Sequence, residues 1–185
     1  MTGRSAGAPA PVTRTAMSAT PPFAALATAP GLARGHVRAA LAEWNLGELA
    51  DVAALIASEM TANAVNASAS AQAAGSVLVI RLCLITNGDV LTIECWDQAP
   101  GVPVMRRATG FAETGRGLAV IDSLTGGAWG WQPAIGQVGK CVWAELQVRN
   151  TDAPPLRSLA APPNANTITG GWPWNSPTTR GPQAR

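Results

Sequence analysis

The sequence predicts an α+β fold, a two-layer sandwich in which a mainly antiparallel sheet carries its helices on one face. Apolar residues recur at helical spacing in 32–45 and 48–68, and strand-like runs come in two adjacent pairs, 76–85 with 89–97 and 128–135 with 140–148. Strands that follow each other through short connections pair antiparallel, which leaves the helices to cover one side of the sheet.

Each element has its own local signal. The first helix has Val37, Leu41 and Trp44 at helical spacing, and Gly47 is expected to end it. The letters TNG between the first two long strands predict a hairpin turn. A loop containing proline and glycine, residues 98–114, precedes a third helix that begins near residue 115. The run PPFAAL adds a short edge strand as a further expectation.

Composition limits the kind of protein. With 185 residues, 47% of them hydrophobic, the chain can build one domain with a core. No apolar run reaches the length of a membrane helix and no compact signal sequence is present, which predicts a cytoplasmic protein with no membrane partner. The expected organisation is a disordered N-terminal arm over 1–22, a folded domain over 23–148, and a disordered proline-rich tail over 149–185 that contains Trp172 and Trp174. The tail is interpreted as solvated, and a docking motif is the alternative.

Charge and cysteine content argue against a nucleic-acid-binding protein and against a metal site built on cysteine. Residues 31–148 hold seven basic and ten acidic side chains, so the positive charge lies in the terminal segments, and direct nucleic-acid binding is disfavoured. The three cysteines, Cys83, Cys95 and Cys141, lack metal-site spacing, and His36 is the one histidine. Buried reduced thiols are the expected state.

The second helix ends with polar residues that need an explanation. At about 100° per residue, Asn63 and Asn66 lie within about 40° of Glu59. Val52, Leu55 and Ile56 fall in the same sector, so the polar residues are expected to continue the buried stripe. Buried polar groups need partners, either within the protein or in a bound ligand.

Two strands and one helix start add polar groups at the same end of the core. By alternation, Asp97 ends the buried row of its strand, and Lys140 stands at the entrance to the buried row of the last strand. Gly115 and Gly117 bracket the third helix start, with Thr114 as the expected cap, and such a start suits phosphate. Polar residues converging on one end of a core indicate a ligand site.

This order of residues resembles a known family. Glu-x-x-x-Asn on a helix, Asp at a strand end and Gly-x-Gly at a helix start are similar to the GHKL ATPase superfamily of gyrase, heat-shock chaperones, histidine kinases and mismatch-repair proteins. The runs GRGLAVIDSL and GKCVWAEL resemble the small actinobacterial ATP-binding regulators similar to anti-sigma-factor serine/threonine kinases. The resemblance covers about residues 23–148.

The resemblance implies roles for particular residues. Asn63 would coordinate Mg²⁺ on the phosphates of ATP, and Glu59 would act as general base on the hydroxyl to be phosphorylated. Asp97 would accept the amino group of adenine, and loop 98–114 would be the lid. The remaining cofactor-binding residues would be Asn66 as pocket lining, Gly101, the phosphate-wrapping residues Gly115, Arg116, Gly117 and Leu118, and Lys140.

The sequence departs from the family in its adenine-side motif, at Ala67, where His or another polar residue is usual, and at Cys141, where Thr is common. The usual Asp-x-Gly-x-Gly reads DQAPG here, so Ala99 replaces the first glycine.

Glu59, Asn63 and Asp97 also have purely structural interpretations. Glu59 could pair with Arg81 or Arg116 instead of serving as a base. Asn63 could cap a loop, and Asp97 could be a turn residue.

Two functions remain after these observations. The first is a protein serine/threonine kinase that acts on a sigma-factor or anti-anti-sigma-type regulator. The second is an ATP-dependent protein-binding switch with little turnover. A histidine kinase is disfavoured because His36 lies inside the first helix of the domain. A homodimer is compatible with the resemblance.

Overall fold

A computed structural model of the chain describes residues 15–71, 77–105, 116–134 and 138–148. These residues confirm the α+β prediction with one six-stranded sheet and three α-helices. In chain order the elements are β1 Ala16–Ala19, β2 Phe23–Ala24, α1 Ala29–Glu43, a 3-10 turn Gly47–Leu49, α2 Ala50–Ala71, β3 Val79–Thr86, β4 Val90–Asp97, α3 Gly117–Thr125, β5 Trp129–Pro133 and β6 Lys140–Gln147.

The sheet is antiparallel throughout, with strand order β1-β3-β4-β6-β5 and with β2 also paired to β3. The predicted hairpin between β3 and β4 is present. The Asn87 side chain accepts hydrogen bonds from the backbone N–H groups of Asp89 and Val90, and Gly88 takes a positive φ of 94°. The turn residues therefore set the register in which Ile80 faces Asp97.

Strand β1 corrects the prediction of a disordered arm over residues 1–22. Residues 16–19 pair with 83–86 of β3, and β2 confirms the expected short edge strand. Thr20, between these two strands, is also bound to β3, because its hydroxyl accepts a hydrogen bond from the N–H of Leu82 at 3.0 Å. The segment contains few large apolar residues, so its pairing with β3 could not be inferred from periodicity.

The first helix starts and ends at different residues from those predicted. It begins at Ala29, three residues earlier than expected, with Pro30 in its first turn, where a missing N–H costs nothing. It ends at Glu43, before Gly47, because Asn45 adopts a left-handed conformation with φ of 56°. Trp44 and Leu46, on either side of Asn45, are buried in the core.

The buried face of α2 differs from the prediction. Leu55 is 43% exposed and Asn66 is exposed, so the expected stripe is not the one that packs. The residues that pack are centred roughly 150° from Glu59 and are mostly small; they are Ala53, Ala54, Ile56, Ala57, Ser58, Met60, Thr61, Ala64 and Ser68. Alanine occurs on every side of this helix, so periodicity did not identify the face on which small residues allow close approach.

The two faces of the sheet follow the predicted alternation. Leu91, Ile93, Cys95 and Asp97 of β4 lie on the helix side with the β6 row that starts at Lys140, and all are buried. On the opposite side Glu94 is also buried, and it accepts a hydrogen bond from Nε1 of Trp96 at 3.0 Å. Burial raises the pKa of Glu94 despite that bond.

The three cysteines are free thiols. Cys95 and Cys141 are buried as expected, whereas Cys83 is partly exposed. Burial raises the pKa of Cys83 to about 11 and that of Cys95 to about 12. Both thiols are therefore protonated at neutral pH.

The terminal segments 1–14 and 149–185, including Trp172 and Trp174, lie outside the described residues, as do Gly115 and most of loop 98–114. Among the helices that the structure describes, none combines the length and apolar character needed to span a bilayer.

Candidate functional site

Helix α3 begins directly over two polar side chains of α2. A methyl group added at Gly117 would lie 2.8 Å from Oε2 of Glu59 and 3.0 Å from Nδ2 of Asn63. Glycine therefore lets the first turn of α3 approach these groups more closely than any other residue would allow. The structure thus brings together three of the predicted site residues.

The start of α3 carries the properties of an anion site. Arg116 occupies the N-cap position without a side-chain capping bond, which corrects the expected cap Thr114. The first N–H groups of a helix have no carbonyl within the helix to bond, and the helix dipole adds positive potential there. The exposed Arg116 and the N–H groups of Gly117 and Leu118 therefore lie at an end suited to phosphate.

Asn63 has a buried polar atom without a partner. Among the described residues its Nδ2 atom makes no hydrogen bond. Buried polar groups in native proteins are paired in the great majority of cases. The amide beside the start of α3 therefore fits a site completed by a ligand, and the amide oxygen is of the type that binds Mg²⁺.

The structure excludes one alternative for Glu59. Arg81 pairs with Trp96 in the sheet register and lies on the face opposite the helices, so it cannot reach Glu59 on α2. Arg116 lies next to Gly117 at the start of α3, so it stays open as an alternative partner of Glu59.

The second part of the site is a buried ion pair. Asp97 and Lys140 face each other across β4 and β6, and Nζ of Lys140 lies 2.8 Å from Oδ1 of Asp97. Lys140 also donates to the carbonyl of Ala99 at 3.1 Å, and the Ala99 N–H donates to Oδ1 of Asp97 at 2.9 Å. Burial raises the pKa of Asp97, and the bond from Lys140 opposes that change.

This cluster bears on the expectations for Asp97, Ala99 and Lys140. Asp97 does have the turn role that was left open, since its Oδ1 closes the turn to Ala99. Ala99 is accommodated where the family has glycine because its φ is not positive, whereas Gly101 has φ of 88° and needs to be glycine for that reason. Lys140 is buried and contacts Asp97 and the carbonyl of Ala99, and its expected contact with a ligand stays a prediction.

Helix α2 connects the two parts of the site. The Thr61 side chain contacts the thiol of Cys95. Thr61 is two residues from both Glu59 and Asn63, and Cys95 is two residues from Asp97. Helix α2, which carries Glu59 and Asn63, therefore packs against β4, which carries Asp97.

A cleft opens at the C-terminal end of α2, beside the turn that follows Asp97. It has a volume of about 470 Å³ and is lined by Ala71, Leu78, Gln98, Pro100 and Val138. Gln98 and Pro100 flank Ala99, and Val138 comes two residues before Lys140. The lining is mostly apolar with one amide, and neither Asp97 nor Lys140 belongs to it.

The remaining predicted residues lie in different settings. Asn66 is exposed, and its backbone carbonyl accepts a hydrogen bond from Ser70. The side chain of Leu118 packs in the core, so only its backbone is available to a phosphate. Gly115 lies outside the described residues.

Sequence reasoning missed two further residues, one on α2 and one next to Asp97. Ser68 is fully buried on α2, and its hydroxyl has no hydrogen-bond partner among the described residues. Gly139 has φ of 131° and passes so close to the carbonyl of Asp97 that no side chain fits there. The glycine directly before the inward-facing Lys140 could have indicated a close backbone approach at Gly139. Ser68 lies in an alanine-rich helix, and its sequence context gave no such signal.

The fold and these residues agree with a family-level comparison. Residues 23–145 match the model of the histidine kinase-like ATPase domain. The chain belongs to this family, whose domains bind ATP. A search of curated proteins finds no match.

Proposed function

We propose that this protein is a serine/threonine protein kinase of the anti-sigma-factor type, which transfers the γ-phosphoryl group of Mg-ATP to a partner regulator. The observation that carries the proposal is the meeting of Glu59, Asn63 and Gly117 at the N-terminus of α3. A carboxylate, an amide and free helix N–H groups are the groups that phosphoryl transfer to a hydroxyl requires.

Each group has a defined task in this proposal. The N–H groups at the start of α3 bind phosphate oxygens, and the Asn63 amide oxygen ligates Mg²⁺, which neutralises phosphate charge when bound. Glu59 accepts the proton of the attacking Ser or Thr hydroxyl. Asp97 accepts the amino group of adenine. The partner is a sigma-factor or anti-anti-sigma-type regulator, and the reaction takes place in the cytoplasm.

Binding and transfer can be separated by two variants. Asn63→Ala is expected to abolish Mg-ATP binding, measured by calorimetry. Glu59→Ala is expected to keep binding within about threefold and to lower phosphotransfer from γ-labelled ATP to a candidate regulator by about 100-fold or more. Arg38→Met, which breaks the exposed Arg38–Asp51 ion pair, is a control expected to change neither quantity.

The outcomes distinguish the candidate functions. If ATP binds and no regulator is phosphorylated, the kinase is excluded and the protein is an ATP-dependent switch. One observation favours that second function: Val102, Val104 and Met105 are 57%, 62% and 45% exposed just after the Asp97 turn, as a protein-binding segment would be. If ATP does not bind at all, both functions are wrong.

A further inference from the structure

The Asp97–Lys140 pair has an asymmetry that the proposed function does not use. Oδ1 of Asp97 accepts two hydrogen bonds, from Nζ of Lys140 at 2.8 Å and from the N–H of Ala99 at 2.9 Å. An oxygen with two donors has no further strong acceptor position. Among the described residues, no hydrogen bond reaches Oδ2, so Oδ2 is the atom left for a ligand.

The pair is also more buried than a pair required only for stability would need to be. The side chains of Lys140 and Asp97 are 7% and 2% exposed. Burying two charges costs free energy that their attraction often only balances, and apolar residues would pack the same space at no such cost. A buried pair in the proposed nucleotide site is therefore better explained by what it does to the ligand.

The ammonium group decides what kind of hydrogen bond Asp97 can make. A buried carboxyl group without a cation tends to be protonated, and then it both donates and accepts. Such a group can bind a purine with an amino group or one with a carbonyl group at position 6. An ionised carboxylate only accepts, so it binds the amino group and repels the carbonyl oxygen.

We propose that Lys140 is the residue that sets purine selectivity, because it occupies Oδ1 of Asp97 and keeps the carboxylate ionised, so that Oδ2 faces the base as an acceptor only. Lys140 is in this sense a positioning residue that acts through Asp97. The inference rests on the proposed nucleotide site and adds to it the group that makes the site prefer a 6-amino purine to a 6-oxo purine.

The test compares the affinities of the full chain for Mg-ATP and Mg-ITP, which differ in the group at position 6. For the wild-type protein the ratio Kd(ITP)/Kd(ATP) is expected to be at least about tenfold. Lys140→Met and Lys140→Gln remove the charge, and Gln can still donate to Asp97 and to the Ala99 carbonyl. Both are expected to reduce the ratio to below about threefold, whereas Lys140→Arg keeps it.

Two controls separate selectivity from folding. Melting temperatures without nucleotide show whether each variant is folded, and Lys140→Gln provides the charge-free variant if Lys140→Met does not fold. In the background of Asp97→Asn, which cannot ionise, Lys140→Gln is expected to leave the ratio unchanged, because Lys140 acts through the carboxylate.

The inference is overturned if a folded Lys140→Gln protein loses affinity for ATP and ITP equally, since that is the result of a merely structural role. It is also overturned if Lys140→Arg loses the preference along with the neutral variants. Both results leave the proposed function standing. If the wild-type protein binds neither nucleotide, the proposed function is wrong and this inference fails with it.

Discussion

At the scale of single residues, Gly117 does what no other residue could do at the junction of α2 and α3. Gly117 is the first residue of α3 and has no positive φ, so its backbone conformation does not require glycine. What requires glycine is the lack of space for a side chain. The atoms that a larger residue would displace are the ends of Glu59 and Asn63, the two side chains to which we assign chemistry. A substitution there changes the site more than it changes the fold.

Gly117→Ala is therefore expected to lower Mg-ATP affinity by about tenfold or more while changing the free energy of unfolding by less than about 1 kcal/mol, since alanine favours helix and the flexible Glu59 side chain can move. Calorimetry and urea unfolding measure the two quantities. The matched control is Gly35→Ala in α1, where an added methyl group meets no atom within 4 Å. The control should gain up to about 1 kcal/mol of stability and keep its affinity. An unchanged affinity in Gly117→Ala would show that the junction does not hold phosphate.

At the scale of elements, the titratable side chain of His36 links helix α1 to the edge strand β1. The His36 ring on α1 lies 3.3 Å from the Ser18 hydroxyl on β1. Burial lowers the pKa of His36, and the charge of Glu43 partly opposes that change. The folded protein thus favours the neutral ring.

Acidification is consequently expected to weaken the fold through His36. A lowered folded-state pKa means that the contribution is complete above the unfolded-state value of 6.5 and is lost as the pH falls below it. Urea midpoints at pH 7.5 and 5.5 measure the loss. His36→Gln, which keeps a polar group and cannot titrate there, should show a smaller decrease. Equal decreases in both proteins would assign the acid sensitivity to other groups. Glu94 and Asp97 are not among them, because their raised pKa values make acidification favour the folded state.

At the scale of the whole molecule, the candidate site draws residues from α2, β4, α3 and β6, so a ligand there links both layers of the sandwich. A ligand that binds only the folded state stabilises it by about 2.7 kcal/mol at a concentration 100 times its Kd. Mg-ATP is therefore expected to raise the melting temperature by several degrees, and EDTA should remove most of that rise. A rise unaffected by EDTA would mean that Asn63 does not act through a metal ion.

Much of the fold could be predicted because its signals are local. Alternation in β4 and β6 placed Asp97 and Lys140 on the buried face, and the letters TNG marked the hairpin between β3 and β4. Four residues of an edge strand and the packed face of an alanine-rich helix could not be predicted in this way. Pairing with β3 determines the edge strand β1, and close packing of small residues determines which face of α2 is buried.

The sequence by itself determined which groups form the candidate site: Glu59 and Asn63 one helical turn apart, Asp97 at a strand end, and glycine at a helix start. Only the tertiary structure decided how these groups meet. It placed Gly117 against Glu59 and Asn63, and it paired Lys140 with Asp97. The physical reason is that periodicity specifies the direction of a side chain within its own element, whereas contact between elements depends on packing distances and on strand register across the sheet.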